Sequence, residues 1–369
     1  MKRIAAFILL AVMLAGCAAP QAPAAGEERA NSLGVNPYDD VRRIGAINVD
    51  VDISGVDFTG QDELVKTLDF NMETEWPASA LALRDGNPER VLEAAKNPGL
   101  GVRALHNRGI TGEGVKVAII DQAMYLDHPE FAEKVTNYKM IGCAGVSSMH
   151  GPAVASLLVG ENTGTAPGAE LYFAAAQGGY DAEYCAEALD WIVEENGKLP
   201  DGDKIRVVSI SAAPSGPGSP FTKNNEMWDE AVERAEEAGI LVLDCTQDHG
   251  FIYPCYYDLD DPDAIDKCTP GFPGLDGTMP VDENKIYVPT SPRTTAEEYM
   301  EGDFGYQYTG RGGLSWGIPY CAGVLAMGWQ VRPELSGEEM KAILLDTAYD
   351  LDGYKIIDPG AFIEALENR

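Results

Sequence analysis

Apolar positions in this chain fall into short unbroken runs and longer runs at helical spacing, and the two kinds alternate from about residue 109 onward. Residues 115–120 form a nearly continuous apolar run, as expected of a strand covered on both faces. Further strands are predicted over 170–175, 206–211 and 240–245, with a short one over 286–289. Helices are predicted over 151–159, 181–195, 225–238, 315–329 and 336–347. In the second of these, Ala182, Cys185, Ala186, Leu189, Ile192 and Val193 make one stripe at helical spacing. The last opens with Ser336 and Glu339 in the arrangement of a capping box. Strands alternating with helices predict an α/β protein of three layers, with a mostly parallel sheet between two helical faces.

Outside this alternation the pattern weakens. Residues 246–285 are rich in Pro, Gly, Asp and Tyr without clear periodicity, which predicts a surface loop near the functional face. Residues 31–98 carry many Asp and two apolar clusters, at 44–53 and 64–70. They read as a small N-terminal extension packing on the body of the protein (residues 99–369); the alternative is a propeptide, of which they show no signature.

The first residues read as an export signal. Lys2 and Arg3 precede an apolar run from Ile4 to Leu14, too short to span a bilayer and ending in small residues. The following Leu14-Ala15-Gly16-Cys17 resembles a bacterial lipobox. That resemblance implies removal of residues 1–16 and lipidation of Cys17, with acyl chains such as palmitate. An Ala- and Pro-rich stretch over 17–30 would then act as a flexible tether, holding the folded body on the extracytoplasmic face of a cell membrane.

Charge narrows the partners. With 27 basic and 59 acidic residues the formal net charge is −32, a surface that repels nucleic acid and anionic headgroups. Besides Cys17 there are six cysteines, an even number compatible with disulfides in an exported chain, although spacing alone does not fix the pairing. Cys245 and Cys321 lie in apolar runs and read as buried free thiols. Cys255 and Cys268 flank an irregular acidic loop and make the better candidate pair. There is no Cys-x-x-Cys and no His-rich cluster, so neither a metal nor any other cofactor is expected.

Three segments carry candidate chemistry. Asp121 ends the 115–120 run, His150 opens the small-residue frame His-Gly-Pro-Ala-Val-Ala, and Ser315 follows Gly310, Gly312 and Gly313 just ahead of a Gly/Ala-rich helix. A serine hydroxyl becomes nucleophilic when an imidazole can take its proton and a carboxylate holds that imidazole in the right tautomer. Carboxyl ends of strands are where functional groups collect in open α/β sheets. A helix start offers backbone N–H groups to an anionic intermediate.

The order Asp, His, Ser and these local frames resemble the subtilisin-like serine peptidases, over roughly residues 109–349. The resemblance implies a three-layer subtilisin-like fold and a serine endopeptidase. Asp121 would be the orienting carboxylate, His150 the general base and Ser315 the nucleophile. Gly164-Thr165-Ala166-Pro167 and Val207-Val208-Ser209-Ile210-Ser211 are further family-like pieces. By analogy a peptide or protein substrate would lie extended along Ser211, Ala212 and Ala213, held by main-chain hydrogen bonds.

Several positions depart from the family. Gln122 and Ala123 follow Asp121, and Leu314 and Trp316 flank Ser315. Where the family places an oxyanion-binding Asn, this chain has Asp248, with Gln247 one residue away. An ionised Asp only accepts hydrogen bonds, so Asp248 would have to be protonated, whereas the Gln247 amide can donate. Losing one such donor costs about 10²–10³ in turnover, giving a slow enzyme rather than a dead one. The stretch from His150 to Pro167 is shorter than in secreted subtilisins, and the piece missing is where those proteins hold calcium. Asp244 would favour basic substrates if it lined the pocket, and is structural if it does not. The alternative function is a catalytically impaired subtilisin-like lipoprotein that binds peptides or a protein partner in the same cleft.

Overall fold

The computed structural model describes residues 47–143, 145–176, 179–246, 250–271 and 279–369. The signal, the tether, Cys17, Gln247 and Asp248 lie outside these residues. In chain order the described elements begin with α1 (Asp62–Lys66), β1 (Asp69–Asn71), α2 (Ala78–Leu81), α3 (Pro88–Ala94) and α4 (Val102–Asn107). The body follows with β2 (Lys116–Asp121), β3 (Val135–Ile141), α5 (His150–Val159), β4 (Glu170–Ala176), α6 (Glu183–Lys198), β5 (Ile205–Ile210), α7 (Asn225–Glu237) and β6 (Leu241–Leu243). Then come β7 (Ile252–Tyr256), β8 (Thr269–Pro270), β9 (Ile286–Ser291), β10 (Arg293–Met300), β11 (Asp303–Thr309), α8 (Leu314–Val331), α9 (Gly337–Asp346), β12 (Tyr349–Leu351), β13 (Tyr354–Ile356) and α10 (Pro359–Glu367).

The central sheet has the order β3-β4-β2-β5-β6, and every pairing in it is parallel. β2 is buried along its whole length, and its residues divide between the two faces as the strand period requires. Val117 and Ile119 join the core that contains helices α5 and α8. Ala118 and Ile120 join the core that contains α6 and α7. The result is the expected three-layer α/β fold.

Predicted and observed elements agree closely where the apolar pattern was strong. Ser336 caps α9, its hydroxyl accepting from Glu339 N while Glu339 Oε2 accepts from Ser336 N at 2.9 Å. The strand predicted over 240–245 is shorter, Leu241–Leu243, because Asp244 turns the chain by accepting from Thr246 N and Oγ1. The 246–285 region is not all loop. It contributes β7 and β8 to a second sheet of order β12-β13-β9-β7-β8. β3 and the hairpin β10–β11 were not foreseen, since β3 is an edge strand with a mostly exposed face and β10 mixes Arg, Thr and Glu into a buried strand.

The cysteine expectations are partly met. All six described cysteines carry free thiols, including Cys255 and Cys268, so that pair is not joined. Both are nonetheless buried, Cys255 on β7 opposite Pro270 of β8 and Cys268 just before β8, with the two thiols hydrogen-bonded to each other. Cys321 is buried as expected, whereas Cys245 is only half-buried.

The N-terminal extension is built into the body. β1 pairs antiparallel with β11, with Phe70 opposite Tyr308, and Tyr308 shares a core with Val51, Phe58, Val65 and Phe70. Tyr308 Oη donates to Lys66 O at 2.6 Å. Gly310, where β11 leads toward Ser315, lies so close to α1 and its exit that an added Cβ would meet Lys66 O at 2.7 Å and Leu68 O at 2.8 Å. Both are backbone atoms, so neither can swing away. Gly310→Ala should therefore destabilise the protein by about 1–3 kcal/mol in urea unfolding, the usual cost of overpacking. Gly313→Ala, where nothing lies within 4 Å and φ is −87°, should stay within about 0.5 kcal/mol of the parent. Equal stabilities for the two variants would contradict this packing.

Candidate active site

Asp121 continues the odd-numbered face of β2, so its side chain emerges on the side of the sheet covered by α5 and α8. It is 9 % exposed, and its Oδ1 accepts from Gln122 N at 2.8 Å. Helix α5 starts directly against the chain that leaves β2. A Cβ at Gly151 would fall 2.2 Å from Gln122 O and 3.0 Å from Ala123 O, so the His-Gly pair lets the helix start at this distance. His150, the first residue of α5, then places Nδ1 2.7 Å from Asp121 Oδ1. The carboxylate accepts, which leaves Nε2 of the neutral ring free of a proton.

Two opposed effects set the imidazole's basicity. Burial disfavours the imidazolium, but the charge and hydrogen bond of Asp121 outweigh it and hold His150 above its ordinary value of 6.5. The stability this pair contributes is fully present below pH 6.5 and is lost as pH rises through the raised value.

Ser315 is the second residue of α8, whose N-cap is Gly313. An N–H this early in a helix has no intrahelical acceptor, so Ser315 N–H is an available donor. The start of α8 is tied to the end of β5, Ser211 Oγ donating to Ser315 O at 2.9 Å and Ser315 Oγ donating to Ser211 O at 3.4 Å. The hydroxyl is thus turned to Ser211 rather than to His150. The neighbouring residue closes the distance, because the Trp316 ring lies 5.2 Å from the His150 ring, centroid to centroid. Of the extended segment expected to hold substrate, Ala212 O accepts from Cys245 N at 2.9 Å. That carbonyl points into the protein, and Ala213 O accepts from Ser219 Oγ at 2.6 Å. All three residues of the segment are half-buried.

Asp244 is 4 % exposed and is occupied with Thr246 N, Thr246 Oγ1 and the Trp228 indole N–H. Its role is structural. Among the described residues no three His, Cys, Asp or Glu side chains gather as a cation site.

Three contributors were not visible in the sequence. Glu298 on β10 accepts from Tyr125 N at 3.0 Å and from Ser147 Oγ at 2.5 Å, and so clips together the loops beyond Asp121 and before His150. Burial pushes its carboxyl up to about 7. Asp69 in the N-terminal extension accepts from Gly310 N and Arg311 N, bracing the loop that leads into Ser315, and burial pushes it up to about 6. Glu130, fully buried, accepts from Asn162 N, Thr163 N and Tyr306 Oη and fixes the turn after α5. These contacts span 32 to 242 residues, and no local pattern announces them.

Residues 112–249, which contain Asp121 and His150 and end before Ser315, match the subtilase family. The serine protease AprX of Bacillus subtilis is 25 % identical over 301 residues, covering 69 % of this chain and 64 % of AprX. M-protease of Shouchella clausii is 26 % identical over 278 residues, covering 70 % of this chain and 65 % of that protein. The chain thus spans slightly less than two thirds of the length of these relatives. Subtilisin Savinase of Lederbergia lenta is 26 % identical, with 91 % of it covered. Among solved structures, fervidolysin from Fervidobacterium pennivorans superposes with a TM-score of 0.52 at 15 % identity, over 73 % of this chain and 47 % of that one. A chain from the subtilase cytotoxin SubAB superposes at 0.56 and 13 % identity, over 73 % and 95 %. At these identities the structural likeness speaks to the fold.

The histidine arrangement can be checked directly. In NMR the His150 ring should titrate above 6.5. Asp121→Asn should lower the midpoint, since the charge that outweighs burial is then gone. An unmoved midpoint in that variant would remove Asp121 as the cause.

Proposed function

Because the chain belongs to the subtilase superfamily, we propose that it is a serine endopeptidase working through Asp121, His150 and Ser315. The observation that carries this reading is the 2.7 Å hydrogen bond from His150 Nδ1 to Asp121, beside the helix start that bears Ser315. On substrate binding the Ser315 hydroxyl turns from Ser211 O to His150 Nε2. Catalytic hydrogen bonds of this kind commonly tighten only in the complex. His150 takes the hydroxyl proton as Ser315 Oγ attacks the peptide carbonyl, and returns it to the leaving amine, which departs as the acyl-enzyme forms. Water then repeats the sequence, activated by the same ring. Asp121 keeps the tautomer fixed and stabilises the imidazolium between these transfers. The developing oxyanion takes the Ser315 N–H, with the Gln247 amide or a protonated Asp248 as the proposed side-chain donor. The substrate is a peptide or protein lying extended along Ser211, Ala212 and Ala213.

A fluorophosphonate probe should label Ser315, and Ser315→Ala should abolish labelling and lower kcat by about 10⁶-fold, as loss of the nucleophile does in triad hydrolases. Absence of labelling under conditions where an authentic subtilisin labels would sink the reading. The resting contact of Ser315 Oγ with Ser211 O favours a second one, a catalytically impaired protein that binds peptides in the same cleft. Saturable peptide binding unchanged by Ser315→Ala, with no cleavage, would select it.

The proposed setting is a membrane surface outside the cytoplasm, reached through lipidated Cys17. Among the described residues no helix is long and apolar enough to cross a membrane. Cys17→Ser should shift the protein expressed in a bacterium from the detergent to the aqueous phase on Triton X-114 partition; an unchanged partition would rule out the anchor.

A further inference from the structure

We propose that Trp316 is a positioning residue of this site, its indole packed on His150 so as to stabilise the imidazolium that forms during turnover. The inference rests on the reading of His150 as general base. It stands first on geometry. The two rings have centroids 5.2 Å apart and planes inclined at 45°, within the roughly 6 Å over which an aromatic face attracts a cation. The indole is 5 % exposed, so the attraction is little diluted by water.

It stands second on what the indole gives up. Trp316 Nε1 is buried and has no hydrogen-bond partner among the described residues, a condition that disfavours Trp at a purely packing position. Leu or Met would fill the space without stranding a donor. The ring also lies against a glycine: a Cβ at Gly312 would fall 2.8 Å from Trp316 Cδ1 and 1.9 Å from Thr290 O. The sequence thus keeps an aromatic ring beside His150 although its N–H finds no partner among the described residues, and the ring's quadrupole is what an aliphatic replacement would lack.

The charged group acting on His150 among the described residues is Asp121, from β2. The Cys185 thiol from α6 and the Cys245 thiol after β6 also feel Asp121, and burial keeps both protonated and uncharged. Glu298 stands behind Ser147, three residues before His150, and titrates at about 7. Its effect is separable in a Glu298→Gln background.

The test compares Trp316→Leu and Trp316→Phe with the parent by NMR titration of the His150 ring, in the parent and Glu298→Gln backgrounds. Trp316→Leu should lower the midpoint by about half a unit, equivalent to about a threefold loss of imidazolium stabilisation, and lower kcat by a similar factor. Trp316→Phe should recover most of both. Fluorescence supplies an arm independent of any variant that might misfold at this position. Protonated imidazole quenches a touching indole, so parent emission should fall as pH drops through the His150 midpoint, and His150→Gln should remove that step. An unmoved midpoint in folded Trp316→Leu, or parent emission with no step that His150→Gln removes, overturns the proposal. Neither measurement needs peptide cleavage. A parent that titrates as stated but hydrolyses nothing would fail the peptidase reading and leave the ring contact standing.

Discussion

A strand buried on both faces has to satisfy its backbone through its two neighbours, and β2 does so in parallel with β4 from Lys116 to Asp121 and with β5 from Lys116 to Ile120, with a register shift after Lys116. That constraint fixes which way each side chain points. Val117, Ile119 and Asp121 share one parity, and α5 and α8, which carry His150 and Ser315 in their first turns, lie on that side. A one-residue slip would send Asp121 to the α6–α7 face and leave the imidazole without its carboxylate. The site is therefore a consequence of how the central strand is buried.

Close backbone approach is the second requirement. Gly151 sets how near α5 comes to the chain leaving β2, and at Gly323 on α8 an added Cβ would fall 2.6 Å from Thr165 Cβ. Both helices can then converge on one end of the sheet. Behind them, interactions from distant segments hold the loops. Glu298 spans the two loops around the Asp–His pair, and Asp69 holds the loop ahead of Ser315. Burial raises both carboxyls, and Glu297 beside them is raised to about 7. Each contributes stability that is fully present below its ordinary value, 3.8 for Asp69 and 4.5 for the two Glu, and is lost as pH rises through about 6 to 7.

The N-terminal extension illustrates the same point from another direction. Its β1 adds to the β10–β11 hairpin, and Thr294 N donates to Ala95 O. The extension shares a core with Tyr308 on the strand that leads to Ser315. The free Cys255 and Cys268 thiols lie close together in a separate part of the core, where burial keeps Cys255 far from its thiolate form.

Sequence alone determined the alternation of buried strands and amphipathic helices, the boundaries of the strongest elements, and the identity of Asp121, His150 and Ser315 as candidates. All of these rest on local periodicity, capping residues and short frames that survive without knowledge of the fold. Sequence did not disclose β10, whose Arg293, Thr294 and Thr295 are buried despite their polarity, with partners from distant segments for some of their polar atoms, Thr163 O for Arg293 Nη2 and Leu92 O for Thr294 Oγ1. Nor did it disclose Glu298, Asp69 or the ring contact of Trp316 with His150. Each of these is an ordinary surface-type or core-type residue in its own neighbourhood. Only the folded chain decides that a carboxylate 151 residues from Ser147, or an indole one position past a serine, becomes part of the same site, because hydrogen bonding and ring contact depend on separation in space and not along the chain.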